Sequence, residues 1–100
     1  MYTTQVKRIT IVAERILKDR LINEILSLGA KGYTISDARG KGQRGVRASD
    51  WEGPDIKIEV IAGKETAEKI AHHVSENYFE LYAVIIYLHD VEVIRGDKYI

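Results

Sequence analysis

Gly40-Lys41-Gly42-Gln43-Arg44-Gly45-Val46-Arg47 sets three glycines among three cations, and from Arg39 onward no acid appears before Asp50. How this run is read decides the fold. It fits G-x-G-x-x-G over residues 40–45, and as a dinucleotide fingerprint it would require a preceding strand, a following helix and a parallel sheet. Only a few residues separate Gly45 from the turn signal Gly53-Pro54, so the helix is missing. A Walker A loop fails too, because Lys41 lies between glycines and no Gly-Lys-Ser/Thr follows. The run is a loop. Glycines let successive backbone N–H groups converge on an oxygen, and arginines match phosphate bidentately, so a phosphorylated small molecule is the first ligand class to consider. The same composition also fits a solvated basic loop, and residue types alone leave both readings open.

Working outward, residues 31–37 read as a strand, with Tyr33 and Ile35 on one face and Thr34 and Ser36 on the other. Beyond the loop, Ile56, Ile58 and Val60 alternate with Lys57 and Glu59 and form the buried set of another strand. Residues 6–13 give an N-terminal strand, with Ile9, Ile11 and Ala13 opposite Arg8, Thr10 and Val12. Leu17, Leu21, Ile25 and Leu28 then recur at helical spacing, widened by Ile16, Ile22 and Leu26. Arg15, Lys18, Asp19 and Glu24 fall mostly outside the stripe, and Gly29 supplies a stop. Ala67, Ile70, Ala71, Val74 and Tyr78 predict a second amphipathic helix over about 66–79. Residues 82–94 predict a last strand, apolar on both faces over 83–88.

Strand, helix, strand, strand, helix, strand implies an α+β, ferredoxin-like βαββαβ sandwich: an antiparallel four-stranded sheet with two helices on one face, as a single domain over 1–100. Two helices cover one face only, so a last strand apolar on both sides points to burial in a symmetric oligomer.

The 15 basic and 15 acidic side chains cancel, so the global positive field of a non-specific nucleic-acid binder is absent and the positive charge is local, at 39–47. There is no cysteine, which excludes a disulfide scaffold, a thiolate metal site and a cysteine nucleophile. No apolar run reaches signal-peptide or membrane-span length, and the expectation is a cytoplasmic protein without membrane insertion. His72-His73 are expected to face solvent on the second helix, since adjacent helical residues diverge by about 100°. His89 and Asp90 are expected on opposite faces of the last strand. No triad, carboxylate pair or HExxH appears, and the loop cations bind anions without offering a general base, so binding is favoured over catalysis. Trp51, the one tryptophan, either folds back on the sheet or serves as an aromatic anchor for a partner.

Together with this topology, Gly32-Tyr33-Thr34, the run from Gly40 to Arg47, and Tyr82-Ala83-Val84-Ile85-Ile86-Tyr87 resemble the PII-like signalling proteins, most closely the SbtB-type, carboxysome-associated branch. The resemblance spans nearly the whole chain. It implies a homotrimer that binds adenine nucleotides (ADP, AMP, ATP or cAMP) in clefts between subunits and needs no cofactor. A long T-loop then controls a membrane bicarbonate or anion transporter, with bicarbonate as a further candidate ligand. On that resemblance residues 38–53 are the T-loop, and Arg44 and Arg47 bind phosphate. Gly40, Lys41 and Gly42 form the loop's base, Thr34 with the backbone of Ala83, Val84 and Ile85 walls the adenine and ribose, and Gln43, Gly45 and Trp51 face the partner. Three departures stand out. Val84 replaces a glycine, Gln43 replaces a serine, and the cysteine-bearing C-terminal extension is not present after Ile100, so the redox control and nucleotide hydrolysis tied to it are not carried over.

Two other functions share the fold. An RNA-recognition module needs stacking aromatics on the exposed face of the central strands, where the third strand offers Lys57, Glu59 and Ile61. An acylphosphatase-like enzyme needs a Gly-rich cradle after the first strand, where the chain reads Ala13-Glu14-Arg15.

Overall fold

The computed structural model describes residues 2–40 and 54–99. β1 (Thr4–Ala13) leads through a 3-10 turn, Arg15–Leu17, into α1 (Lys18–Ser27). β2 (Thr34–Ala38), β3 (Asp55–Ala62), α2 (Lys64–Tyr78) and β4 (Ile85–Val93) follow, and a second 3-10 turn spans Gly96–Tyr99. The strands form one antiparallel sheet in the order β2-β3-β1-β4, so the ferredoxin-like expectation holds.

Alternation in β1 and β3 fixes which face carries the helices. Ile9, Ile11 and Ala13 from β1 and Ile56, Ile58, Val60 and Ala62 from β3 share one face and are buried. Against them pack Leu17, Leu21 and Ile25 from the first helical segment and Ala67, Ile70, Val74 and Tyr78 from α2. α1 ends in a Schellman cap at Gly29 (φ 115°), where the N–H of Ala30 donates to Ile25 O and that of Gly29 to Leu26 O, both at 3.1 Å.

Several boundaries move. The first helix opens as a 3-10 turn, whose tighter winding rotates Ile16 out of the apolar stripe to 64% exposure, and Leu26 also lies exposed. β2 starts at Thr34, and β4 starts at Ile85 because residues 82–84 make a tight turn in which the Val84 N–H donates to Tyr82 O. The outer face of the sheet is mixed rather than uniformly apolar. Exposed Ile85 and Tyr87 lie opposite Val12 and Thr10, the Arg8 guanidinium reaches His89 Nδ1 at 3.1 Å, and the Tyr87 and His89 rings meet edge to face. As expected, His89 and Asp90 part: Asp90 pairs with Lys7 on the helix-bearing face.

His72 is exposed, but His73 is not the solvent-facing residue its position suggested. The two helices lie side by side, and His73 Nε2 meets Glu24 Oε1 at 2.9 Å. The same carboxylate oxygen accepts the buried Tyr78 hydroxyl, and Arg20 Nε donates to the other oxygen at 3.4 Å while its guanidinium stacks over the Tyr78 ring. Burial alone would raise the Glu24 carboxyl. The hydrogen bonds from Tyr78 and His73 outweigh it and hold the group below its usual range. Burial, then the bond to Glu24, pushes the Tyr78 phenol well above its usual value.

The signs set a pH window. A depressed carboxyl stabilises the fold above its ordinary value of 4.5 and loses that contribution as pH falls, whereas a raised phenol contributes below 10.0 and loses it as pH rises. Tyr78→Phe should therefore cost about 1.5–3 kcal/mol at neutral pH, the range for a hydrogen bond to an ionised group. In urea titrations the gap from wild type should narrow as pH drops below 4.5. A gap that stays constant into acid would rule out Glu24 as the phenol's ionised partner.

Candidate functional site

Antiparallel pairing brings four chain segments to one end of the sheet. Ala13 pairs with Ile56, Ala38 with Asp55, and Val12 with Ile85. The end of β1, both feet of the long loop and the approach to β4 therefore meet at the same rim. Two adjacent residues just past β1 tie this rim together. Arg15 Nε donates to Pro54 O at 3.0 Å, at the loop's second foot, and its guanidinium pairs with Asp37 at the first. Glu14, 5% exposed, accepts the Ala83 N–H on Oε2 at 2.9 Å.

Of the residues singled out from sequence, Gly40 lies exposed two positions beyond β2, at this rim. Ala83 and Val84 are half-buried in the turn before β4, and Ile85 opens the strand. The Val84 side chain packs against the core, so the branched residue at this position turns inward. Thr34 lies elsewhere. It pairs with Glu59, while Ile85 pairs with Val12, on the opposite edge of the sheet. Three strand steps separate those edges, about 14 Å at the usual interstrand spacing. Lys41, Gly42, Gln43, Arg44, Gly45, Arg47 and Trp51 lie outside the described residues.

Glu14 and Arg15 are the site-end residues that sequence reasoning passed over. In sequence they look like the polar start of a helix, and their contacts reach 22 to 69 positions away. One signal was available: an acid directly after a fully apolar strand face, at a point where the chain has not yet left the core. Among the described residues no group of three or more His, Asp or Glu is placed to hold a metal ion, and no helix is long and apolar enough to cross a membrane.

If Arg15 holds both loop feet, Arg15→Ala should speed amide exchange at Asp37, Ala38, Asp55 and Ile56 while Ile9 and Ile11 stay protected, as read by hydrogen–deuterium exchange with mass spectrometry. Unchanged exchange at both feet would mean the contacts restrain neither.

Comparison with known proteins agrees with this architecture. The family model described as nitrogen regulatory protein P-II matches residues 6–98. A PII-like signalling protein from Thermus thermophilus is 50% identical, with complete coverage of both chains and a TM-score of 0.88. CPII from Thiomonas intermedia, solved bound to ADP, AMP and acetate, is 23% identical and superimposes with a TM-score of 0.84 over 99% of this chain and 98% of its own. The same protein bound to ADP and bicarbonate gives 24% identity and 0.83, over 98% and 97%. With a family match over almost the entire length and a half-identical relative of the same size, the chain belongs to the P-II family of signalling proteins.

Proposed function

We propose that this chain acts as a homotrimer that binds an adenine nucleotide between subunits. Its loop, residues 38–53, then governs a membrane bicarbonate or anion transporter, or inorganic-carbon metabolism, from the cytoplasm. The observation that carries the reading is the placement of the two nucleoside walls. Thr34 lies on the β2 edge and residues 83–85 lead into the β4 edge, with two strands between them. No single hydrogen-bonding group spans that distance, whereas two copies set edge to edge bring one wall from each chain to the same ligand. Exposed Ile85 and Tyr87 give the β4 edge apolar surface to bury in such a contact.

The ligand class follows from the residue chemistry and from the relatives. Arg44 and Arg47 supply the forks for phosphate, with Gly40, Lys41 and Gly42 at the base of the loop. CPII, which shares the fold, was solved with ADP, AMP and bicarbonate. Bicarbonate is accordingly a candidate second ligand here. Gln43, Gly45 and Trp51 are the loop residues assigned to the protein partner. The role is binding, not turnover. The outer face of the two central strands presents Arg8, Thr10, Val12, Lys57, Glu59 and Ile61, with no aromatic to stack a base, so it does not support an RNA platform. Glu14 puts a carboxylate where an acylphosphatase would cradle phosphate.

Calorimetry against cAMP, AMP, ADP and ATP, with and without bicarbonate, tests the reading, together with light scattering for the trimer. Arg44→Ala and Arg47→Ala should each weaken binding by about tenfold to a hundredfold, and Arg44→Lys should fall between wild type and alanine because it keeps charge but loses the planar fork. Full affinity in both alanine variants would remove the loop as the phosphate site. A monomer that persists with saturating nucleotide would remove the intersubunit cleft.

A further inference from the structure

We propose that Glu14 is a specificity-determining acceptor of the nucleotide site: its free carboxylate oxygen takes a hydrogen bond from an N–H or O–H on the neutral, nucleoside part of the ligand. The inference rests on the nucleotide reading above and adds a residue to it.

Glu14 is 5% exposed, and its two oxygens are treated unequally. Oε2 accepts the Ala83 N–H at 2.9 Å, while Oε1 is buried with no partner among the described residues. A buried carboxylate oxygen without a donor is costly, because it has given up water for nothing. Native structures rarely keep one without a use for it. Two other side-chain atoms share this state, Thr10 Oγ1 and Arg8 Nε, but they lie on the outer face of the sheet, the first is a neutral hydroxyl, and the Arg8 guanidinium still reaches His89. Among the described residues Glu14 alone combines charge, burial and a place at the rim where the loop feet and the 83–85 segment converge.

The carboxylate is also held where it is. Arg15, its neighbour, is anchored to Pro54 and Asp37, and the Ala83 bond fixes the side chain from the other direction. Ala83 and Val84 are themselves half-exposed, so Glu14 sits directly beneath the surface segment assigned to adenine and ribose. A negative group there repels phosphate and accepts hydrogen bonds only. It can therefore read an exocyclic amino group or a ribose hydroxyl, and the two share the same donor chemistry. A lone carboxylate holds no metal, and among the described residues no group of three or more His, Asp or Glu is placed to hold one.

The test is calorimetry of wild type and Glu14→Gln with AMP, purine riboside 5′-monophosphate, which lacks the 6-amino group, and the 2′-deoxy and 3′-deoxy forms of AMP. Glutamine keeps an oxygen for the Ala83 N–H and sets an NH2 where Oε1 stood, donor against donor. Wild type should bind AMP about 10- to 100-fold more tightly than one of the analogues. The analogue that loses affinity tells whether the amino group or a hydroxyl is read. Glu14→Gln should lose AMP affinity to the level of that analogue while binding the analogue almost as before. Equal wild-type affinity for all four ligands overturns the proposal even if the variant fails to fold. A variant that weakens all four by one factor overturns it as well, since that pattern belongs to a structural role. Wild type that binds no nucleotide would instead overturn the underlying reading.

Discussion

The rest of the structure depends on a single steric constraint: in β1 and β3 every second residue points the same way, and from Ile9 to Ala13 and from Ile56 to Ala62 that set is apolar. Ile9, Ile11, Ala13, Ile56, Ile58, Val60 and Ala62 can leave water only under something that covers their face, and two helices suffice. With both helices on that face, α1 and α2 must run alongside each other. That proximity is what brings Glu24 of one within reach of Tyr78 and His73 of the other. Among the described residues no helix covers the outer face, and the edges of β2 and β4 pair with no further strand. Polar clustering between the helices thus follows from the apolar face they share.

The same antiparallel sheet decides where a ligand can sit. Because strands alternate in direction, the end of β1 and β2 and the start of β3 and β4 share one rim, and the loop between β2 and β3 begins and ends there. Glu14 and Arg15 occupy the gap between the rim and the first helix, where a short 3-10 turn holds the backbone close to the sheet. Arg15 contacts both loop feet, and Glu14 accepts from the turn before β4.

The four strands, the buried faces of the first and third, and both helices were legible in the sequence because they rest on periodicity, which each strand or helix displays within itself. Ile56, Ile58 and Val60 announce their face without reference to any other segment. Boundaries were less legible where local hydrogen bonding overrode the pattern: the turn at 82–84 is as apolar as the strand it precedes, and the 3-10 start of the first helix changes the phase at Ile16. The Glu24 cluster was not legible at all. An acid at the margin of one stripe and a histidine at the margin of another look like solvent-facing residues until the helices are placed side by side. The rim behaved likewise. Glycines and arginines of the loop carry a compositional signal, whereas Glu14 and Arg15 gain their meaning from partners far along the chain. That Thr34 and Ile85 fall on opposite edges is a fact of strand order, which no local pattern contains.

Strand order also bears on how the molecule comes into being. β1 is made before the other three strands and is a central strand, bonded to β3 on one side and, from Thr4–Val93 to Val12–Ile85, to β4 on the other. Its second edge stays unsatisfied until the last strand has been made. Until then the nascent chain carries an apolar strand with an open edge, the geometry that invites pairing with the wrong partner. The sheet therefore closes only once β4 has been made, through contacts between strands far apart in sequence, which favours slow folding. A chain cut short before β4 would not be a smaller version of this protein: β1 would become an outer strand, with its hydrophobic row beside an edge it was never built to expose.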